Sequence, residues 1–302
     1  MRLDQLSKKV LITGIDSFTG IHLSKYLQMA RYDVYGTSYL NESEKTYKCD
    51  ITKKEDIKTV LKAVDPDYVI HLSGISYAAF EDSTEFYKVN TIGTINILDA
   101  ILEMNLNPSK ILIASSATVY GNQGLEVLDE SLCPTPVNHY GASKYAMESM
   151  VKNYFNKLNI IVTRPFNYTG MGQAEHFLIP KIVKHFKDAK KEIELGNLHV
   201  SREFNDITFV CEIYSRFLNS TCKSEIVNIC SDRGVKLLDI IDKMNLIAGY
   251  AIEVKVNPAF VRKDEIKTLT GSSKKLFGLI GKVKQKTLDN TLRDMFENCN
   301  NS

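Results

Sequence analysis

The chain has no long apolar run, no CxxC pair and almost no net charge, and each absence closes off a class of function. Across 302 residues, 38 Lys and Arg face 36 Asp and Glu, a balance of +2 at pH 7. That balance gives no reason to expect nucleic acid or a membrane surface as a partner. Lysine-rich stretches such as Lys181-Ile-Val-Lys184-His-Phe-Lys187 and Lys190-Lys191 read as solvated helix faces. Six cysteines (Cys49, Cys133, Cys211, Cys222, Cys230, Cys299) are scattered without His/Cys ligand spacing. Neither a disulfide framework nor a zinc site is expected, nor a site for any other metal. The opening Met1-Arg-Leu-Asp-Gln-Leu-Ser-Lys8 lacks an apolar signal core, and no stretch reaches membrane-spanning length. The cytoplasm is the expected compartment. Tandem repeats and low-complexity segments are also missing.

What is present is 44% hydrophobic residues, enough for one large core or two modest ones. They are arranged as alternating strands and helices. Lys9-Val-Leu-Ile-Thr13 is apolar without alternation, the pattern of a buried parallel strand. Gly14-Ile-Asp-Ser17-Phe18-Thr19-Gly20 follows, and then helical spacing from Ile21 to Leu27. A glycine-bearing turn between strand and helix lets backbone N–H groups approach a pyrophosphate. Gly14, Ser17, Phe18, Thr19 and Gly20 are therefore candidate cofactor contacts, with Ser17 standing where a glycine is usual. Further strands are predicted over 33–37, 47–50, 67–72, 110–114 and 159–163, with helices over 53–64, 90–104 and 140–158. The pattern predicts an α/β chain: a Rossmann doubly wound parallel sheet over residues 1–165. Residues 166–302 are looser, with isolated strands such as Glu225–Ile229. They read mainly as a smaller, discontinuous substrate lobe, some of whose elements return to the sheet.

The chemistry concentrates in Tyr140-Gly-Ala-Ser-Lys144, which follows the Ser115-Ser116 pair at the end of a predicted strand. Four-residue spacing puts the phenol and the ammonium on one helix face. A free tyrosine has a pKa of about 10 and is a poor acid at neutral pH. An ammonium one turn away favours the phenolate and brings the group towards the working range. A serine hydroxyl beside it can bond the oxygen of an alcohol or ketone. This is equipment for moving a proton on a carbinol oxygen while a hydride arrives or leaves. His139 reads as a helix-start or surface residue, and Cys133 as a loop cysteine.

Together these elements resemble the extended short-chain dehydrogenase/reductase family, whose members act on nucleotide-diphosphate sugars. The resemblance runs from Lys9 to about Glu297. Thr13-Gly14 with Gly20, Asp50-Ile51, His71-Leu-Ser-Gly74, Asn90 with Gly93-Thr94, Ser115-Ser-Ala-Thr-Val-Tyr-Gly121 and the Tyr140 motif carry it. It implies that Ser116 is the catalytic serine, Tyr140 the acid/base and Lys144 its activator. It also implies cofactor contacts at Asp50, Ile51, Leu72, Ser73, Gly74, Asn90 and Pro165, besides Tyr140 and Lys144 themselves. Asn90 would be the structural asparagine on the nicotinamide side. The second half is similar to GDP-6-deoxy-4-keto-sugar reductases and their dehydratase relatives, through Arg164-Pro-Phe-Asn167, Arg202-Glu-Phe-Asn-Asp206 and Asn257 to Asp264. That similarity implies Asn167, Thr118 and His176 at the sugar, Arg202 at the diphosphate, and Arg262 with Asp264 at the nucleoside. A homodimer serving polysaccharide biosynthesis is expected.

Two local features refine the expectation. Dehydratase relatives carry an acid just after the catalytic serine or threonine, whereas Ala117 and Thr118 stand here, and neither is a general acid at neutral pH. Hydride transfer from NAD(P)H to C4 of a GDP-linked 4-keto-6-deoxy sugar is the expected reaction. A 4-epimerase or dehydratase of the same family is the alternative, and a non-catalytic dinucleotide-binding module a second one. The end of the second strand, Gly36-Thr37-Ser38-Tyr39, has no acid for a ribose 2′-hydroxyl and no arginine. Thr37 and Ser38 could bond a 2′-phosphate, so NADP(H) is favoured, with NAD(H) open.

Overall fold

Apolar runs with no polar face to offer solvent become the inner strands of a sheet. Val10, Ile12, Ile111 and Leu112 are fully buried, as strands covered on both faces must be. The computed structural model describes residues 7–76, 82–261 and 265–298. In chain order the strands are β1 (Lys9–Thr13), β2 (Asp33–Ser38), β3 (Thr46–Lys48), β4 (Tyr68–His71), β5 (Lys110–Ala114), β6 (Ile160–Pro165), β7 (Tyr168–Thr169), β8 (Glu192–Leu195), β9 (Ser201–Arg202), β10 (Asn205–Asp206), β11 (Glu225–Ile229), β12 (Val235–Lys236), β13 (Glu253–Val256) and β14 (Thr268–Leu269). The helices are α1 (Phe18–Met29), α2 (Lys54–Val64), α3 (Ser83–Phe86), α4 (Gly93–Glu103), α5 (His139–Val151), α6 (Leu178–Lys187), α7 (Ile207–Asn219), α8 (Leu237–Ala248), α9 (Lys274–Ile280) and α10 (Leu288–Glu297).

Seven strands form one sheet in the order β3-β2-β1-β4-β5-β6-β11, and every pair from β3 to β6 is parallel. This is the doubly wound Rossmann sheet that the alternation predicts. The strand order reverses between β1 and β4, and sheets of this kind carry ligands there, off the carboxyl ends of the strands. The core beneath that point includes Leu11, Val69, Ile97, Ile101, Ile111 and Val151. Burying each such side chain contributes roughly 1.5–3 kcal/mol. On α2 the buried positions Ile57, Val60, Leu61 and Val64 follow helical spacing, and Glu55 and Asp56 sit favourably in its first turn.

Three elements differ from the sequence expectation. The helix expected over 90–104 begins earlier, as α3, and passes through a π-helical turn at Tyr87–Ile92 before α4. The helix expected over 140–158 stops at Val151 and closes with a 3-10 turn, Lys152–Tyr154. Ser224 then donates to the Phe155 carbonyl at 2.9 Å, a tertiary cap that local sequence does not announce. Glu225–Ile229, expected as an isolated strand, is β11 at the sheet edge beside β6.

The chain divides into two compact units. The first comprises the stretch ending at Val119, Pro136–Arg164 and Cys211–Val227, and it holds most of the sheet. The second comprises Tyr120–Thr135, Pro165–Val210 and the stretch from Asn228 onward. Within the second, β7 pairs with β10, β8 with β13, and β9 lies between β12 and β14. Its own core includes Ile179, Phe186, Leu195, Ile240, Met244 and Leu292. The buried Glu203 organises this unit by accepting from Gly271 N at 2.8 Å and Ser231 N at 2.7 Å. Burial pushes its carboxyl pKa up in spite of those bonds. Among the described residues no helix is long and apolar enough to cross a membrane.

Candidate active site

The turn after β1 is built around two glycines. Gly14 has φ +70°, a left-handed conformation that favours glycine. A Cβ at Gly20 would lie 2.3 Å from the Gly14 carbonyl oxygen and 2.6 Å from that of Ile15, so no side chain fits. Ser17 is the N-cap of α1, and its Oγ accepts from Gly20 N at 3.1 Å. The capping bond explains a serine where a glycine is usual. Gly14 N and Ile15 N both donate to the Thr37 carbonyl, at 2.9 and 3.0 Å, which stitches the turn to β2. The close glycine approach at a helix start fits the pyrophosphate of a dinucleotide.

From this turn a buried hydrogen-bond chain runs through β4. Thr13 Oγ1 accepts from Leu72 N and Ser73 N, both at 3.2 Å, so its own proton goes to His71 Nδ1 at 2.7 Å. Thr94 Oγ1 donates to the Asn90 carbonyl at 2.7 Å and therefore accepts from His71 Nε2 at 2.9 Å. The two threonines fix a neutral imidazole with its proton on Nε2. Burial, aided by the Lys144 charge, pushes the His71 pKa down to about 3. Sequence reasoning used His71 only as part of a motif. A histidine ending an otherwise apolar strand was the available signal.

Asn90 lies in the π-helical turn, a distortion that often marks functional sites. It is fully buried, and its Oδ1 accepts from Ile75 N at 2.9 Å. Its Nδ2 donates to the Ile75 carbonyl at 3.1 Å and to Ser143 Oγ at 3.0 Å, linking the exit of β4 to α5. A Cβ at Gly74 would meet Asn90 Oδ1 at 2.7 Å and Lys144 Nζ at 3.2 Å, so these three positions are close neighbours.

Asn138 caps α5, accepting from Gly141 N at 2.8 Å, and this puts Tyr140 in the first helical turn. A Cβ at Gly141 would lie 2.9 Å from the Thr118 carbonyl oxygen, so that turn rests on the 3-10 turn Ala117–Tyr120. Lys144 Nζ donates to the Ala114 carbonyl, at the last residue of β5, over 2.8 Å. Burial drives its pKa down to about 8, while Glu148 one turn on pulls the other way. Glu148 is itself held by Arg164, whose Nε and Nη2 donate at 3.0 and 2.6 Å in a buried fork. Ser116 Oγ accepts from Thr118 N at 3.2 Å and from Thr118 Oγ1 at 2.9 Å. The carboxyl end of β5 thus gathers Ser116, the start of α5 and the Lys144 ammonium.

The description of the NAD dependent epimerase/dehydratase family matches residues 10–230 of this chain. The chain belongs to that family. It is similar to GDP-6-deoxy-D-talose 4-dehydrogenase of Aggregatibacter actinomycetemcomitans, 37% identical over 274 residues, covering 90% of this chain and 91% of the relative. It is 29% identical to GDP-6-deoxy-D-mannose reductase of Pseudomonas aeruginosa over 299 residues, covering 95% of this chain and 96% of the relative. A structure of RMD from Pseudomonas aeruginosa complexed with NADPH superposes with a TM-score of 0.84 at 27% identity, covering 96% of each chain. As an epimerase/dehydratase family member the chain is an NAD(P)-dependent oxidoreductase, of the extended short-chain dehydrogenase/reductase type.

Several other candidate residues are engaged within the protein itself. Ser38 is 1% exposed, and its hydroxyl donates to Asp16 while accepting from Leu40 N and Asn41 N. It braces a turn, its proton and both lone pairs engaged within the chain. Thr37 is buried and serves the glycine turn through its carbonyl. The Asp50 carboxylate accepts from Thr52 N and Oγ1, and the Ile51 side chain is buried against Gly93. Phe18 packs edge-on to His22, beside the buried Thr19. His139 is the exposed first residue of α5, after the Asn138 N-cap, and its Nδ1 pairs with Tyr87 Oη at 3.1 Å. Cys133 is an exposed free thiol.

In the second unit, Pro165 follows Arg164 at the end of β6, and the Asn167 carbonyl accepts from Asn205 N at 2.9 Å. His176 is exposed and stacks on Phe177 with ring centroids 4.3 Å apart. Arg202 is held by backbone carbonyls and a carboxylate. Its Nη1 donates to the Ser201 and Lys267 carbonyls at 2.9 and 3.1 Å, and its Nη2 to Glu265 at 2.6 Å and to the Ile266 carbonyl. The guanidinium ties β9 to the segment before β14. Arg262 and Asp264 lie outside the described residues.

Proposed function

We propose that this enzyme reduces the 4-keto group of a GDP-linked 6-deoxy sugar with NAD(P)H. A nicotinamide supplies the hydride to C4 when it is bound. Tyr140 gives the C4 oxygen its proton. Ser116 Oγ already accepts from both the N–H and the hydroxyl of Thr118, so its own proton is available to the ketone oxygen. Lys144, charged below about pH 8, favours the phenolate left on Tyr140 and so assists the transfer. Its bond to the Ala114 carbonyl holds the ammonium under the carboxyl end of β5.

The observation that carries the reading is the Thr118–Ser116 pair. A neutral hydroxyl, committed to the serine, occupies the region where dehydratase relatives keep an acid, and C4 reduction needs no second acid. The names of two relatives, a GDP-6-deoxy-D-talose 4-dehydrogenase and a GDP-6-deoxy-D-mannose reductase, favour a GDP-linked 6-deoxy sugar. The first of them favours a second reading, oxidation of the 4-hydroxyl by NAD(P)+. Tyr140 then accepts the proton that it otherwise gives.

The test is the purified enzyme with a GDP-4-keto-6-deoxy sugar and NAD(P)H, followed by cofactor absorbance and separation of the nucleotide sugars. Cofactor consumption with formation of the 4-hydroxy product is expected, and no keto sugar from GDP-mannose. Keto sugar appearing from GDP-mannose at a comparable rate would make the enzyme a dehydratase instead. Tyr140→Phe is expected to slow turnover about 10²–10⁴-fold with cofactor affinity retained. Turnover within twofold of the parent would remove Tyr140 from the mechanism.

A further inference from the structure

The sequence-based lean towards NADP(H) rests on the lack of an acid at residues 36–39, but the fold brings one there from the glycine turn. Gly36 makes room for Ile15, since a Cβ at Gly36 would lie 2.4 Å from Ile15 Cβ, and the turn is bonded to Thr37 by two N–H groups. Asp16 is thereby carried to the carboxyl end of β2. Ser38 Oγ donates to Asp16 Oδ2 at 2.5 Å, and Asn41 Nδ2 donates to the same oxygen at 3.1 Å. Ser38 in turn accepts from Leu40 N at 3.1 Å and Asn41 N at 2.9 Å, so the loop after β2 is folded around the carboxylate. Both bonds fall on Oδ2, and among the described residues Oδ1 accepts none.

The loop offers no compensating cation. It carries Glu42 and Glu44, and Lys45 pairs with Asp33 at 2.6 Å and lies over the Tyr35 ring. The end of β2 is where a dinucleotide fold of this topology meets the adenosine ribose. We propose that Asp16 is the coenzyme-specificity residue of this enzyme. Its Oδ1 accepts from the ribose hydroxyls of NAD(H), and its charge opposes the 2′-phosphate of NADP(H). Ser38 and Asn41 are positioning residues that hold the carboxylate at that spot. The proposal rests on the dinucleotide fold and is independent of which sugar the enzyme reduces.

The experiment is titration of NADH and of NADPH into the enzyme, without sugar, by calorimetry or by coenzyme fluorescence. It compares the parent with Asp16→Asn and Asp16→Ser, both checked by thermal midpoint. Asp16 is exposed and Asn is isosteric, so both variants are expected to fold. Removing the charge is expected to shift the ratio of the two dissociation constants towards NADPH by about tenfold or more, since a like-charge contact is relieved. NADH affinity is expected to fall several-fold in Asp16→Ser, which lacks the reach of the carboxylate. A ratio within twofold of the parent in both variants overturns the assignment. So does an equal change for both coenzymes, which would make Asp16 a structural brace of the turn. Failure of the sugar reduction assay leaves this result untouched, because the titration contains no sugar.

Discussion

Replacing Lys144 by methionine is expected to make the protein more stable at neutral pH while removing its activity. Lys144 is buried, and burial brings its pKa from the ordinary 10.5 to about 8. The folded pKa lies below the unfolded one, so the buried ammonium subtracts stability in full below about pH 8. The penalty fades as the pH rises towards 10.5. At about 1.4 kcal/mol per unit, the cost at pH 7 is roughly 3 kcal/mol. Methionine keeps much of the volume but leaves the Ala114 carbonyl without its 2.8 Å donor, a loss of about 1–2 kcal/mol. A net gain of about 1–2 kcal/mol at pH 7 follows from these terms. Between pH 7 and 9 the parent recovers roughly 1.3 kcal/mol through Lys144 alone, and the variant does not. Buried Cys49 and Cys230 have raised pKa values and act in the opposite sense over the same range. Both proteins contain them, so the difference between parent and variant isolates Lys144. The assay is urea unfolding of both at pH 7 and 9, followed by far-UV circular dichroism, with turnover measured alongside. A variant less stable than the parent at pH 7, with a difference independent of pH, would refute the reasoning.

Gly20→Ala places a Cβ 2.3 Å from the Gly14 carbonyl oxygen, so the turn must open. It is expected to lose about 1–3 kcal/mol of stability and at least about tenfold in coenzyme affinity, both readable by thermal shift and titration. His71 is held neutral, with a pKa of about 3 against 6.5 in the unfolded chain, so its share of stability is lost as the pH falls below 6.5. Unfolding measured at pH 7 and 5 is expected to show the parent losing about 2 kcal/mol more than His71→Gln, and equal losses would dismiss the buried imidazole as the cause. Arg202→Ala breaks its bonds to Glu265 and the Ile266 and Lys267 carbonyls, and is expected to cost about 1.5–3 kcal/mol with coenzyme affinity unchanged. A selective loss of nucleotide-sugar affinity without loss of stability would return Arg202 to the substrate diphosphate.

Local periodicity and short motifs determined the sheet, because a parallel strand buried on both faces leaves a run that needs no partner to recognise. Lys9–Thr13 and Lys110–Ala114 are bounded in the structure as the sequence predicts. The Tyr140/Lys144 spacing is likewise a property of one helix, α5. Partners distant in sequence decided the rest. His71 has its bonding and proton position fixed by Thr13, 58 residues away, and by Thr94. Asp16 reaches the end of β2 only because a glycine there lets the turn lie on the strand. Arg202 reads in the sequence as a cation for a diphosphate, and only the fold brings Glu265 and the Ser201, Ile266 and Lys267 carbonyls to its guanidinium. A polar side chain carries no sign in the sequence of which partner satisfies it. Burial makes that satisfaction obligatory, and only the folded chain brings the partner within reach.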